Sequence, residues 1–437
     1  MTAWLRDAGA DVSVQDLSIS DFDADPIRAA DMIAFYVPMH TATRLAEPVL
    51  AGVKGINADA HISFFGLYAP INEGHLRDLG ADSVLGGEFE EGLVAIYERV
   101  VEGRQGTIEQ SEPIISHRRQ NFLVPDRTGL PSLDNYARLQ VSPDRSKLVG
   151  YTEATRGCKH LCRHCPVVPV YGGRFVVVQP DVVLEDVRRQ VHAGAEHITF
   201  GDPDFFNGPR HAMRIVTSMH REFPDLTYDV TIKVEHLAQH TRLLVKLKET
   251  GCALVTSAVE SFDDRILGRF DKRHSRHDLD KALGAMRDVG LALNPTFVTF
   301  TPWTTLDGYI EFLETLAALD LVENISPVQY AIRLLIPAGS KLMDLSDVAD
   351  LVEQFDDREL VYPWRHRDPA VDELFADVLR IAQQSGSVDR SRVQTFNEVW
   401  EAAHTARGVD APPLLDPHVG DVPSPVTIPY LTEPWYC

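Results

Sequence analysis

The chain alternates short apolar runs with helically spaced stretches twice over, and a polar interlude separates the two series. Repeated strand–helix alternation restricts the fold to α/β layers built on parallel sheets. In the first series, residues 1–108, Asp31–Val37 is a compact apolar run of the kind buried parallel strands show. His61–Gly66 and Asp82–Leu85 are two more, and Thr41–Val53, Asn72–Leu79 and Glu90–Val101 have helical spacing. This predicts a doubly wound, Rossmann-like sheet. Such a sheet normally opens with a strand, but here Ala3–Ala8 reads as a helix stopped at Gly9. The expectation is therefore a chain that starts late and lacks its first strand; the alternative is that Val12–Leu17, which alternates apolar and polar, is an edge strand.

Residues 109–146 are polar, with scattered Pro and Gly, and read as a linker. The second series covers residues 147–345, with strands expected at Leu148–Glu153, His197–Phe200, Tyr228–Val234, Leu254–Val259, Asn294–Phe300 and Val328–Leu335. Helical stretches lie between them, which suits a partial (β/α)6 TIM-like barrel. Residues 346–410 read as a helical region, and residues 411–437 as a Pro-rich, extended tail that ends in Cys437.

Composition narrows the function classes. The 437 residues carry 42 Lys+Arg against 64 Asp+Glu, a formal net charge of −22. That balance argues against a broad nucleic-acid or anionic-membrane surface, because such surfaces neutralise phosphates with cations. No apolar run reaches the ~18–20 residues a bilayer span needs, and no secretory signal is visible at the N-terminus. Five cysteines in a chain of this length do not form a disulfide framework. The reading is a cytoplasmic protein.

The sharpest chemical signal is Gly157-Cys158-Lys159-His160-Leu161-Cys162-Arg163-His164-Cys165-Pro166, a C-x3-C-x2-C run directly after the first barrel strand. Three thiolates on a short loop can hold three irons of a [4Fe–4S] cluster and leave the fourth iron open. The place fits, since barrel active sites lie in the loops that follow the strands. The alternative is a zinc site of Cys158, Cys162, Cys165 and His160 or His164. Zinc sites usually pair two such arms, and a second arm is missing.

Cys158, Cys162 and Cys165 after Tyr151-Thr152-Glu153-Ala154-Thr155-Arg156-Gly157 resemble the radical S-adenosylmethionine (radical SAM) enzymes. The residue before the third cysteine departs from the family pattern, being His164 rather than Tyr or Phe. The resemblance implies that a [4Fe–4S] cluster reductively cleaves SAM to give a carbon radical, with a flavodoxin or ferredoxin-type protein as reductant. It assigns the SAM amino group to the turn Gly201-Asp202-Pro203-Asp204, although Asp202 and Asp204 serve equally well as helix caps. It offers Lys233 or Arg333 for the SAM carboxylate, and Glu260, beside Ser257 on the same strand, for the ribose. For each residue alone, an ordinary ion pair at a strand end is the competing reading.

The first domain resembles the cobalamin-binding-like domain of one radical SAM subgroup, through Asp31–Thr43, Phe64-Phe65-Gly66 and Gly80–Glu88. The subgroup's Asp-x-His-x-x-Gly motif is missing: Asp59-Ala60-His61 lies near Gly66 at the wrong spacing, and His61 begins a strand. Cobalamin stays open at this point. The ending Pro429–Cys437 resembles radical SAM proteins that finish in Cys-(Cys/selenocysteine)-Ala-Glu-Pro, which would make Cys437 catalytic and imply a selenocysteine codon read as a stop. Cys252 reads as a core residue.

The expected function is radical modification of a small molecule or peptide. Alternatives within the family are cobalamin-dependent methyl transfer and aminocarboxypropyl transfer from SAM to arsenic or sulfur. An RNA substrate is disfavoured by the acidic charge. The competing class is an Fe–S scaffold or electron-transfer protein without SAM cleavage.

Overall fold

The computed structural model describes every residue other than 104–109, 143, 386–390, 414–428 and 433–437. Its first sheet joins β1 (Met32–Tyr36), β2 (His61–Phe65), β3 (Ser83–Gly87) and β4 (Ile115–Ser116) in that order, all parallel. Every residue of β2 and β3 is buried, because helices cover both faces of the sheet's centre. Two sequence expectations change here. Val12–Leu17 is irregular rather than an edge strand. The interlude supplies β4, a two-residue strand too short to carry a period-2 signal.

The second sheet begins with an antiparallel pair, β5 (Arg138–Ser142) and β6 (Arg145–Thr152). A hairpin of β7 (Thr155–Gly157) and β8 (Phe175–Val177) follows and brackets the cysteine run. The parallel series β6, β9 (His197–Phe200), β10 (Thr227–Thr231), β11 (Cys252–Glu260) and β12 (Ala292–Phe297) forms a curled half-barrel, each strand beside the next in sequence. The order follows from strand–helix–strand connections, which place successive strands side by side. One core fills the space between sheet and helices, with Phe200, Tyr228, Val230, Val255 and Phe300 at 1 % exposure or less. Each such side chain contributes roughly 1.5–3 kcal/mol. Cys252 belongs to this core.

The sixth barrel strand, expected at Val328–Leu335, is mostly a 3-10 turn at Pro327–Ala331, with one bridge between Phe300 and Arg333. Pro327 removes a ladder donor at the point where a strand would start. Helices Pro369–Ser385 and Arg392–Arg407 pack against this corner. Within the tail, β13 (Tyr430–Leu431) pairs antiparallel with β5 and extends the sheet edge. Cys437, expected to be catalytic, lies outside the described residues. Among the described residues, no helix is long and apolar enough to cross a membrane.

Candidate active site

The cysteine loop leaves β7 through Gly157, whose φ of +73° is open to glycine at little cost. A Cβ there would stand 2.4 Å from the Tyr171 ring and 2.6 Å from the Arg174 carbonyl oxygen. Asn207 clamps the loop from the next barrel turn: its Nδ2 donates to the Gly157 carbonyl at 3.2 Å, and its Oδ1 accepts from Lys159 N at 3.2 Å. The far side is tied to the end of helix Asp264–Phe270, where Arg163 N donates to the Phe270 carbonyl at 2.9 Å.

No disulfide engages Cys158, Cys162 or Cys165. Cys158 and Cys165 pack among Val167, Val170 and Tyr171, with Leu67 and Ile71 of the first domain closing over them. Burial pushes the Cys158 thiol up to about 11 and the Cys165 thiol up to about 12. Apolar surroundings hold these thiols protonated until a metal replaces the protons. Three cysteines on one short loop, short of the four a closed cluster needs, fit three irons of a [4Fe–4S] cluster.

Two buried ammonium groups face the sulfurs. Lys233 Nζ lies 3.8 Å from Cys162 Sγ and donates to the Lys272 carbonyl at 3.1 Å. Lys272, 3 % exposed, holds Glu260 Oε1 at 3.0 Å, and His164 Nε2 meets the same oxygen at 3.0 Å. Glu260 ends β11 with φ +67°, a strained conformation for a side chain of this size. Its burial pushes the carboxyl up, but Lys272 and His164 outweigh that and hold it well below the carboxylate range. Ser257 Oγ on the same strand is fully buried and has no hydrogen-bond partner, a polar atom left for a ligand.

The other predicted positions separate. Asp202 is committed to the loop's approach, accepting from Ala154 N at 2.9 Å and Thr155 Oγ1 at 2.5 Å. Gly201 leaves room for the Tyr151 phenol, which a Cβ would meet at 1.8 Å. Pro203 only turns the exposed chain between them. Asp204 accepts from Phe206 N at 3.3 Å and faces two imidazoles with its other oxygen: His236 Nδ1 at 2.6 Å and His160 Nε2 at 3.6 Å. Arg333 is directed elsewhere. It pairs with Asp372 at 2.8 Å, donates to the Trp364 carbonyl at 3.0 Å and stacks 3.8 Å from the Trp364 ring centre.

Sequence reasoning missed Lys272, His236 and the interdomain partners of Arg156. Lys272 follows a short helix and reads as a surface residue. Arg156 reaches Glu90 at 2.5 Å, Glu153 at 3.0 Å and Glu88 at 3.6 Å, joining the first domain to the strand that feeds the cysteine loop. Beside it, Tyr36 and Tyr151 keep 55 % and 49 % of their surfaces open. Burial nevertheless pushes both phenols up, and each feels the neighbouring Glu153 carboxylate. Tyr36 ends β1 and Tyr151 lies near the end of β6, so both stand at the carboxyl ends of their strands. Phe65 and Phe89 pack together beside Tyr36, with ring centres 5.0 Å apart. His61 is buried in β2, 3.0 Å from Ser83 Oγ.

A family model described as the radical SAM superfamily matches residues 152–316. The tRNA-2-methylthio-N(6)-dimethylallyladenosine synthase of Desulfosudis oleivorans is 25% identical over 239 residues, 51% of this chain and 49% of that protein. The hopanoid C-3 methylase of Methylococcus capsulatus is 25% identical over 230 residues, 51% of this chain and 43% of that protein. The chain thus spans about half the length of these curated relatives, or less. Among solved structures, the radical SAM methyltransferase TsrM from Kitasatospora setae, with cobalamin and a [4Fe–4S] cluster bound, has a TM-score of 0.61 at 15% identity, covering 93% of this chain and 95% of that one. The cobalamin-dependent radical enzyme OxsB with aqua-cobalamin bound has a TM-score of 0.56 at 13% identity, covering 82% of this chain and 58% of that one. At these identities the likeness speaks for the fold.

Proposed function

We propose that this chain, which carries a radical SAM domain over residues 152–316, is an enzyme that modifies a small molecule or peptide through a carbon radical. The observation that carries the reading is the placement of Cys158, Cys162 and Cys165 on one short loop after β7, with Lys233 Nζ 3.8 Å from Cys162 Sγ and the buried Lys272 beside them. A [4Fe–4S] cluster on these sulfurs supplies, when bound and reduced, the electron that splits the SAM sulfonium. The chain's own groups then have defined tasks. Lys233 is the candidate for the SAM carboxylate, in place of Arg333, whose guanidinium Asp372 and Trp364 hold. Ser257 offers an unused hydroxyl on the strand that ends in Glu260. Glu260 itself holds Lys272 and His164, so it positions the loop rather than a ribose.

Cobalamin-dependent methyl transfer is a second reading, favoured by the likeness in fold to the cobalamin-bound TsrM and OxsB structures. With His61 buried in β2, this segment would offer cobalamin no imidazole.

The test is anaerobic. The protein is reconstituted with iron and sulfide, mixed with SAM and dithionite, and the SAM-derived products are read by mass spectrometry. 5′-Deoxyadenosine, lost in Cys162→Ala, supports the reading. Methylthioadenosine redirects it to aminocarboxypropyl transfer. An intact cluster without any SAM cleavage points to a scaffold or electron carrier. Cobalamin retained by the purified protein would support methyl transfer.

A further inference from the structure

Beside the cysteine loop lies a nest of polar groups that the proposed reaction does not use. His160, at the second position after Cys158, turns inward and is 6 % exposed. Asp204, after β9, is fully buried, and His236, after β10, is 2 % exposed. Asp204 Oδ1 is taken by Phe206 N. Its Oδ2 is within ion-pair distance of both imidazoles, yet neither contact has hydrogen-bond geometry, and Asp204 Oδ2, His160 Nε2 and His236 Nδ1 are all left without a partner. Several buried, unpartnered polar atoms in one place are rare in a protein interior. One ligand atom each of Cys158, His160 and Asp204 lies within 4.8 Å of the other two.

We propose that Cys158, His160 and Asp204 form a binding site for one divalent ion of the zinc class, filled when the iron–sulfur cluster is missing. Sulfur, imidazole nitrogen and carboxylate oxygen are the three donor types zinc accepts, and three protein ligands leave a fourth position for water. The 3.6 Å between His160 Nε2 and Asp204 Oδ2 is close to the spacing of two ligands on a tetrahedral ion with bonds of about 2.1 Å. With the ion bound, His236, whose Nδ1 stands 2.6 Å from Asp204 Oδ2, is placed to turn into a hydrogen bond that orients the carboxylate, as outer imidazoles and carboxylates commonly do around zinc. Binding displaces the Cys158 thiol proton to solvent and leaves the ion's oxidation state unchanged. Because Cys158 is also a proposed iron ligand, ion and cluster exclude one another. Only this exclusion rests on the function proposed above; the ion site itself does not.

The test uses the full chain, freed of iron and metals, titrated under anaerobic conditions with Zn2+ against a competing chelator. Co2+ serves as the spectroscopic stand-in, read by its thiolate charge-transfer band. The expected result is one ion per chain, with affinity lowered about tenfold or more in His160→Ala and in Asp204→Asn. Cys162→Ala and Cys165→Ala keep the affinity, although each loses iron–sulfur reconstitution. Asp204→Asn retains the oxygen that caps Phe206; should it not fold, His160→Ala decides alone. Binding that survives His160→Ala but disappears in Cys162→Ala or Cys165→Ala would place the ion on the three thiols and overturn the proposal, as would the lack of stoichiometric binding. Reconstitution of His160→Ala with iron and sulfide separates the two readings. A variant that loses zinc but keeps its cluster leaves the radical SAM assignment standing; a wild-type chain that binds one zinc through His160 and Asp204 but takes up no cluster leaves the ion site standing while that assignment falls alone.

Discussion

Lys233 Nζ stands 3.8 Å from Cys162 Sγ, inside a shell that Lys272 completes through its backbone carbonyl. A buried cation at that distance favours negative charge on the sulfur and on anything the sulfur binds. In Lys233→Met the cluster should be harder to reduce. Its potential should fall by roughly 60 mV or more, one tenfold step for a one-electron couple. Anaerobic potentiometry checks this; an unchanged potential would remove Lys233 from the cluster's surroundings.

Glu260 compensates two groups at once, Lys272 and His164. Glu260→Gln leaves a buried ammonium unpaired and frees the loop residue before Cys165. The expected loss is about 3–5 kcal/mol, the usual consequence of breaking a buried pair from one side. Denaturant unfolding measures it. A loss under about 1 kcal/mol would show that the pair is better solvated than its geometry implies.

Arg333 separates two assignments for the SAM carboxylate. Its bonds to Asp372 and Trp364 tie the last barrel corner to the C-terminal helices. Arg333→Met should therefore lower stability by about 1–2 kcal/mol while leaving the KM for SAM unchanged. A large rise in that KM with normal stability would return Arg333 to the SAM site.

Glu88 gives a pH signature. Burial pushes its carboxyl up to about 7, against the opposing pull of Arg156. The folded state then holds a proton that the unfolded state releases near 4.5. Stability from this group is present below pH 4.5 and is lost as pH rises through about 7. Glu88→Gln should remove that slope, gaining about 1–3 kcal/mol relative to wild type at pH 8 and nothing at pH 4. Thermal melts at the two pH values test it; equal differences at both would contradict the assignment.

Much of this site was legible before the structure, because the cysteine run is local. Its spacing and the strand before it lie within one stretch of chain. The parallel strands were legible for the same reason: the alternation of His197–Phe200 and the β-branched and apolar residues of β11 are local features. What stayed hidden depends on contacts between distant residues. Lys272 is charged and follows a short helix, so nothing in its surroundings announces 3 % exposure. Asp202 and Asp204 look alike in sequence, yet one holds Ala154 and Thr155 while the other faces two histidines. Arg333 sits in an apolar run that reads as a strand, and Pro327 with the packing of the C-terminal helices turns that run into a corner.

The most direct test of the central claim is electron paramagnetic resonance of the reduced, reconstituted protein with and without SAM. The account predicts a [4Fe–4S] signal whose g values shift when SAM is added, because the three cysteines leave one iron open. It also predicts that Cys158→Ala, Cys162→Ala and Cys165→Ala each lose the signal. A signal indifferent to SAM, or one that survives these substitutions, would contradict it.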